Sequence, residues 1–275
     1  MKVSIVVTTY NRPDALAGVL RALAGQRDRN FEVLVADDGS SQETTHLVQT
    51  MVRDFPVPLI HVWQEDQGFR AGAARNRACA QASGDYLVFI DGDCVPLPDF
   101  VSEHQRLAER GWFVAGNRIL LSEAFTAQAL AQAWPLHQYS PWQWLKARMQ
   151  GHINRWTPLL HASNGAWRKR APKRWQGART CNLAVWRSDF VAVNGFDEAY
   201  AGWGHEDADL AVRLLRHGTQ RKDGRFGTAV LHLWHRENDR SHLAENQQRL
   251  AHILSSERVW AQQGLSQYLS LPPRP

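Results

Sequence analysis

The chain has 275 residues, enough for one large core or two closely fused lobes. Hydrophobic residues make up 44% and charged residues 21%, as in ordinary globular proteins, so the composition excludes a disordered chain. Basic residues exceed acidic ones by 32 to 27, and the three widely spaced cysteines form neither a zinc motif nor a disulfide framework, which favours a reducing cytoplasm.

Strand and helix patterns alternate through the first third of the chain. Apolar, often β-branched runs predict buried strands at residues 3–8, 31–36, 59–63 and 86–90. Helices are predicted after the first three strands. We expect Asn11 to cap the first helix, with Leu16, Leu20 and Leu23 as its apolar stripe, and Ser40 or Ser41 to cap the second. This alternation predicts an α/β fold with a mostly parallel central sheet flanked by helices.

Three of the predicted strands end in polar clusters: residues 9–11, 37–40 and 91–93. Ligands of such sheets bind beyond the carboxyl ends of the strands, so we expect the three clusters to converge. Asp91 and Asp93 offer the oxygen ligands that Mg²⁺ or Mn²⁺ prefers, and such an ion offsets negative charge on a departing diphosphate. The alternatives are an ordinary turn for residues 91–93 and a helix-capping loop for residues 37–40.

The pattern changes after about residue 100. Residues 117–175 are predicted to be irregular or partly helical and carry six of the twelve tryptophans, namely Trp134, Trp142, Trp144, Trp156, Trp167 and Trp175. These rings form either an aromatic core beneath a lid or a stacking platform for a sugar. A basic cluster follows at residues 168–170, 173–174 and 179. It is either a solvated surface or a site that attracts phosphate on a lipid head group or an anionic acceptor.

Regular patterns return near residue 182. We predict strands at 182–185 and 229–234, a helix at 206–216, a terminal helix or helix pair from 241 to about 268, and a loose tail from Pro272. Glu206 and Asp207 open the middle helix, where they either stabilise the helix end or supply a general base. His232 and His235 follow the last strand, as structural residues or as imidazole ligands of a cation.

Four clusters, taken together and in chain order, resemble the inverting glycosyltransferases of family 2, which have the GT-A fold. They are residues 37–40, 91–93, 202–210 and 232–235. The resemblance covers residues 1 to about 115 and 177–240, including the runs at 68–76 and 194–198. The later part is also similar to the acceptor half of β-galactosyltransferases and polysaccharide polymerases. The resemblance as a whole implies four parts of the chain. These are a nucleotide-sugar-binding half (1–115), a Trp-rich acceptor or lid insertion (116–176), an acceptor and catalytic half (177–240), and a C-terminal helix and tail (241–275).

The resemblance also implies roles for single residues. The nucleotide would be bound by Thr9, Tyr10, Asp38, Arg75 and Asp91, with Asp38 facing the base. The metal site would comprise Asp93, Asp91, His235 and His232, with the choice between the two histidines open. Asp207 would be the catalytic base, and Glu206 would hold the acceptor or share that role. The acceptor would contact Trp203, Gly204 and Asn182.

The predicted function is metal-dependent transfer of a sugar, with inversion, from a UDP-sugar to a hydroxyl of a glycan or glycolipid. The expected cofactor is Mn²⁺ or Mg²⁺, and the expected context is bacterial surface glycan synthesis, of lipopolysaccharide or capsule. No apolar run approaches the ~20 residues of a membrane span, and no signal peptide is evident. A cytoplasmic location is therefore predicted, with peripheral contact to the anionic inner face of the membrane allowed.

Two other functions are considered. A non-catalytic carbohydrate- or nucleic-acid-binding module would use the basic, Trp-rich segment but leaves the paired acids without a purpose. A nucleotidyltransferase would normally carry a Gly-rich phosphate loop after the first strand, and residues 9–13 contain no glycine. No nucleic-acid partner is expected.

Overall fold

A computed structural model describes residues 1–236 and 239–269 of the chain. Its strands are β1 (Val3–Thr9), β2 (Phe31–Asp37), β3 (Leu59–Trp63), β4 (Tyr86–Asp91), β5 (Cys94–Pro96), β6 (Trp112–Ala115), β7 (Arg118–Leu120), β8 (Leu183–Trp186), β9 (Gln220–Asp223) and β10 (Val230–His232). Its α-helices are α1 (Pro13–Ala24), α2 (Gln42–Val52), α3 (Ala71–Gln81), α4 (Phe100–Leu107), α5 (Glu123–Ala131), α6 (Pro141–Met149), α7 (Arg187–Ala192), α8 (Glu206–Arg216), α9 (Leu243–Ser255) and α10 (Ser266–Leu269). The tail predicted from Pro272 lies outside the described residues.

Seven of the described strands form the central sheet, in the order β3-β2-β1-β4-β8-β6-β9. β3, β2, β1 and β4 are mutually parallel, β8 runs antiparallel to both of its neighbours, and β9 is parallel to β6. Only β8 therefore opposes the common direction within this sheet, and the predicted mostly parallel sheet is confirmed. β5, β10 and β7 form a second, smaller sheet.

Helices cover both faces of the central sheet, which explains why its first strands are almost continuously apolar. In β1, Val3, Ile5 and Val7 join the hydrophobic cluster that includes the apolar stripe of α1. Val6, between them, joins the cluster beneath α3 and α8. A strand with helices on both faces buries alternate residues on opposite sides, so an apolar residue is favourable at nearly every position.

The register of the sheet brings distant strand ends to one edge. β1 and β2 end together at Thr9 and Asp37, and β4 ends beside them at Asp91. The antiparallel strand β8 begins at this same edge. Beyond it, β6 and β9 end together at Ala115 and Asp223. The polar clusters after β1, β2 and β4 therefore converge, as their positions in the sequence predict.

The capping prediction is wrong for the first helix, and for the second it is confirmed only in position, because Ser41 is the N-cap residue of α2. The N-cap of α1 is Arg12, with φ −130° and ψ 60°, because the ring of Pro13 disfavours a helical conformation in the residue before it. Asn11 instead adopts a positive φ of 47° and accepts a hydrogen bond from the Ser41 N–H at 2.8 Å. Its own N–H donates to Ser40 Oγ at 2.9 Å, and Ser41 makes no side-chain cap. These residues fasten the loop after β1 to the loop after β2.

Several elements have no clear signal in the sequence, and β9 is the plainest example. Its sequence, Gln-Arg-Lys-Asp, is polar, yet it pairs with β6 along its whole length. The ammonium of Lys222 is buried there, and donates to the Leu107 carbonyl at 2.9 Å and to Glu109 at 3.1 Å. Pairing with a neighbouring strand and satisfied polar contacts outweigh the weak intrinsic strand preference of these residues.

The Trp-rich segment contains both buried and exposed rings, so neither expectation for it holds throughout. Trp144 on α6 is 3% exposed and packs in the main core against Tyr139, with ring centroids 5.2 Å apart. Trp142 is 78% exposed and Trp156 is also exposed.

Cys79, Cys94 and Cys181 are buried free thiols. None of the described helices is both long and apolar enough to cross a membrane.

Candidate active site

Asp38, at the end of β2, is buried and anchored by the segment that follows β3. Its carboxylate accepts hydrogen bonds from Gln64 Nε2 at 2.6 Å and from the Arg70 N–H at 2.7 Å. Burial raises the pKa of Asp38 to about 6, against the lowering effect of these two donors. Nearby, the exposed Tyr10 hydroxyl donates to Asp66 at 2.9 Å. The sequence analysis missed Gln64 and Asp66, although both follow a strand that ends at the ligand edge.

Arg75, on α3, joins the end of β4 to the beginning of α8. Its guanidinium donates to Thr8 Oγ1 at 2.8 Å and to Asp91 and Glu206 at 3.2 Å each. Burial disfavours its charge, but Asp91 and Glu206 outweigh burial and raise the pKa of Arg75. The side chain is 4% exposed. Arg75 therefore bridges two carboxylates in the site rather than presenting an open face to a ligand.

Asp91 and Asp93 flank the turn that leaves β4. Partial burial, with the neighbouring charges of Asp93 and Glu206, raises the pKa of Asp91 to about 6, while Arg75 opposes the rise. Asp93 faces His232, the last residue of β10, and His235 just after it: His235 Nε2 lies 3.4 Å and His232 Nε2 lies 3.8 Å from its carboxylate oxygens. The structure thus brings together the acid and both histidines that the sequence predicts as metal ligands.

The side chains around Asp93 fit a divalent cation. Ligand atoms of Asp93, Cys94 and His232 lie within 4.8 Å of one another. Burial raises the pKa of the Cys94 thiol, which keeps its proton and makes it a poor ligand. Burial also lowers the pKa of His232 to about 4, leaving the neutral imidazole that metals bind. Asp93, His232 and His235 therefore offer the oxygen and nitrogen ligands of such a site.

Glu206 and Asp207 form the first turn of α8, as predicted. The loop before them turns sharply through Gly202, Gly204 and His205, all with positive φ. Burial raises the pKa of Asp207 to about 7, and the adjacent Glu206 adds to this, against Arg75 and Arg179. A carboxylate whose pKa lies near the working pH suits a general base.

The exposed loop beside this acidic turn carries Trp203. Its ring is partly exposed, and the Arg240 guanidinium lies 5.3 Å from the ring centroid. The Gly202 N–H donates to the Phe69 carbonyl at 3.0 Å, which fixes the loop near α3. An acceptor contact at Trp203 and Gly204 stays a prediction.

Asn182 does not line an open acceptor site, so that prediction is wrong. Its side chain is 1% exposed and donates to the carbonyls of Asn117 and Thr228. Its Oδ1 lies 3.2 Å from His104 Nε2. A Cβ built on Gly116 would lie 2.2 Å from this amide, so the space around Asn182 is filled. The side chain stabilises the interior where β6 and β8 meet.

Arg118 is a site residue that the sequence analysis missed. Its guanidinium lies 3.8 Å from the Cys181 sulfur, and its charge lowers the pKa of Asp91. It begins β7, outside every polar cluster that the strand-end pattern selects. No signal in the sequence links it to the site, because the pairing of β7 with β10 brings it there.

Similarity to known proteins covers most of the chain. Residues 4–171 match the family described as glycosyl transferase family 2, and residues 160–235 match the one described as N-terminal domain of galactosyltransferase. Validoxylamine A glucosyltransferase from Streptomyces hygroscopicus is 28% identical, over 78% of this chain and 51% of its own length. Hyaluronan synthase from Pasteurella multocida is 27% identical, over 78% of this chain and 23% of its own length. The chain therefore spans about half, or less, of the length of these relatives.

Solved structures share the fold. TarS 1-349 from S. aureus aligns with 98% of this chain and 68% of its own, with a TM-score of 0.61 and 16% identity. The mannosyltransferase PcManGT from Pyrobaculum calidifontis aligns with 84% of this chain and 56% of its own, with a TM-score of 0.56 and 18% identity. Identities this low indicate a common fold and nothing finer. The fold class predicted from the sequence is confirmed.

Proposed function

Since this chain belongs to glycosyl transferase family 2 and has the GT-A fold, we propose that it transfers a sugar from a UDP-sugar to a hydroxyl of a glycan or glycolipid. The proposed transfer inverts the anomeric centre and needs Mn²⁺ or Mg²⁺. One observation carries the proposal. Arg75 joins Asp91, two residues from Asp93, to Glu206, which precedes Asp207. This contact supports the proposal because it ties the segment with the candidate cation ligand to the helix turn with the candidate base.

The proposed donor is a nucleoside-diphosphate sugar with uracil as its base. TarS has been solved with UDP and with UDP-GlcNAc, and PcManGT with GDP-Man and Mn²⁺. In this chain the buried Asp38 carboxylate accepts hydrogen bonds, and both uracil and guanine carry a ring N–H that can donate to it. Comparing UDP with GDP in a binding titration tests the choice. Tighter binding of GDP would contradict the proposal.

In the proposed mechanism, Asp207 accepts the proton of the acceptor hydroxyl. The acceptor oxygen then attacks the anomeric carbon from the face opposite the diphosphate, so the configuration inverts. A divalent cation held by Asp93, His232 and His235 would offset the negative charge on the departing diphosphate. Arg75 stays paired with both Glu206 and Asp91 while negative charge develops on the diphosphate. Glu206 also raises the proton affinity of Asp207, which favours proton transfer near neutral pH.

Asp207→Asn tests the assigned base. We expect turnover to fall by roughly 10² to 10⁴, the contribution of a positioned base, while UDP binding persists. Asp54→Asn serves as the control, because it makes the same change at an exposed residue just after the C-terminal end of α2. Turnover within a few-fold of the unmodified protein in Asp207→Asn would remove Asp207 from this role. The anomeric configuration of the product, read by NMR, tests inversion separately.

Asp93→Ala tests the cation. Metal-dependent UDP binding should weaken, because the carboxylate between the two histidines is lost. An unchanged affinity in a titration with Mn²⁺ would contradict the metal assignment. Slow metal-dependent hydrolysis of a UDP-sugar by the unmodified chain would separate an enzyme from a non-catalytic binding module.

The proposed context is bacterial surface glycan synthesis. It is supported by relatives that are polysaccharide synthases, including the hyaluronan synthase of Pasteurella multocida and a chondroitin synthase of Escherichia coli that is 26% identical. A cytoplasmic location with peripheral membrane contact stays a prediction.

A further inference from the structure

A cavity of about 450 Å³ near the ends of β6 and β9 is strongly basic. Six arginines line it: Arg155, Arg168, Arg170, Arg174, Arg221 and Arg225. Asp223 is the one acidic residue among its described lining residues. The aromatic ring of Trp167 also contributes to the wall. The mechanism above uses none of these residues.

The positive charge of this arginine pocket is poorly compensated. Asp223 pairs with Arg225 at 2.7 Å. Within the described part of the chain, the guanidinium groups of Arg170 and Arg174 make no hydrogen bond or ion pair. Burial lowers the pKa of Arg221, and the charges of Arg174 and Arg225 lower it further against the effect of Asp223. Arginines held this close together, with one carboxylate among them, attract an anion of more than one charge.

Part of the pocket wall is fixed by hydrogen bonds, although four of its six arginines are exposed, namely Arg155, Arg170, Arg174 and Arg225. Arg168 is buried, and its guanidinium donates to carbonyls from two segments, including Ser163 at 3.1 Å and Asp223 at 2.9 Å. Arg221 donates to the Gln176 carbonyl at 2.8 Å. These fixed guanidinium groups reduce the ordering cost of binding, while the exposed Arg170 and Arg174 are accessible to a ligand.

The pocket lies at the same sheet edge as the candidate active site. Its floor includes the ends of β6 and β9, two and three strands from β4. With strands about 4.8 Å apart, this places it roughly 10 to 15 Å from Asp91. Two contacts link the sites: Arg155 donates to the Arg118 carbonyl at 3.0 Å, and the charge of Arg179, just beyond the pocket, acts on Asp207.

Resting on the proposed function, we infer that the arginine pocket binds a phosphate group carried by the acceptor glycan, so that the acceptor class is a phosphorylated sugar. Arginine forks bind phosphate oxygens in pairs, and the partly exposed Trp167 ring, which has the Arg168 guanidinium 4.2 Å from its centroid, lines the same cavity. The donor diphosphate has its own place near Asp93, across two strands. Binding here would orient the acceptor, leaving one of its hydroxyls to reach Asp207.

The test is a binding titration of the whole chain with glucose 6-phosphate and with glucose, in EDTA so that no cation contributes. We expect glucose 6-phosphate to bind more tightly than glucose. Arg170→Gln and Arg174→Gln should each weaken that binding about 10-fold or more, because each removes a charged hydrogen-bond donor. Arg53→Gln, an exposed change of the same charge at the end of α2, should leave it unaltered.

A parallel titration of the same variants with UDP and Mn²⁺ separates this inference from the proposed function. No UDP binding by the unmodified chain would contradict the proposed function, whatever the phosphate result. If UDP binds, but glucose 6-phosphate binds no better than glucose or binds the pocket variants as it binds Arg53→Gln, the inference is wrong. Binding to phosphatidylglycerol vesicles that needs Arg170 and Arg174, without binding of glucose 6-phosphate, would replace it with a membrane-surface role.

Discussion

Arg75→Met probes the contact on which the site geometry depends. Methionine keeps an apolar stem of similar length but removes the guanidinium and its bonds to Thr8, Asp91 and Glu206. Removing one partner of a buried ion pair costs about 3 to 5 kcal/mol of stability. The Asp91 side chain is 33% exposed and regains water, whereas Glu206 is 12% exposed and regains little. We therefore expect a loss at the lower end, about 3 kcal/mol.

Urea unfolding followed by circular dichroism measures this loss directly. About 3 kcal/mol is a large part of the 5 to 15 kcal/mol that stabilises a typical domain. At about 2 to 4 °C per kcal/mol for a chain of this size, the Tm should fall by about 10 °C. Arg77→Met is the matched control, because Arg77 lies on the same helix but stacks over the Tyr268 ring instead of pairing with the site acids.

The loss should also depend on pH. The Arg75–Asp91 pair stabilises the fold only while Asp91 is ionised, so its contribution is present above the Asp91 pKa of about 6 and is lost as the pH falls through that value. The stability difference between Arg75→Met and the unmodified chain should therefore be larger at pH 8 than at pH 5. A loss below about 1 kcal/mol, or a loss equal at both pH values, would refute the assigned bridge.

Two further predictions concern stability. Because the folded-state pKa of Asp207 is raised to about 7, ionising it opposes folding, so the stability advantage of Asp207→Asn should grow as the pH rises from about 4 to 7; urea titrations showing no growth would contradict the raised pKa. Trp144→Ala should lower the free energy of unfolding by about 3 to 5 kcal/mol and Trp142→Ala should hardly change it, since only the Trp144 ring is buried. Equal Tm values for the two variants would contradict this prediction.

Much of the candidate site follows from the sequence because strand ends are local features. Asp38, Asp91 and Asp93 follow apolar runs that pair as parallel strands, and parallel strands end at one edge. Glu206 and Asp207 open a helix whose bounds the apolar periodicity predicts correctly. The capping residues and the polar strand β9 could not be predicted in the same way. In both cases contacts with another segment outweigh the local preference.

The sequence by itself determined the alternation of strands and helices, the sheet edge where the strand-end acids meet, and the acids and histidines gathered there. These depend on periodicity and strand direction, which neighbouring residues encode. Only the tertiary structure decided that Arg75 bridges two acids, that Asn182 is buried, and that six arginines surround one cavity. Each of these depends on side chains from distant segments meeting at a particular distance and angle, and the packing of the whole chain sets both.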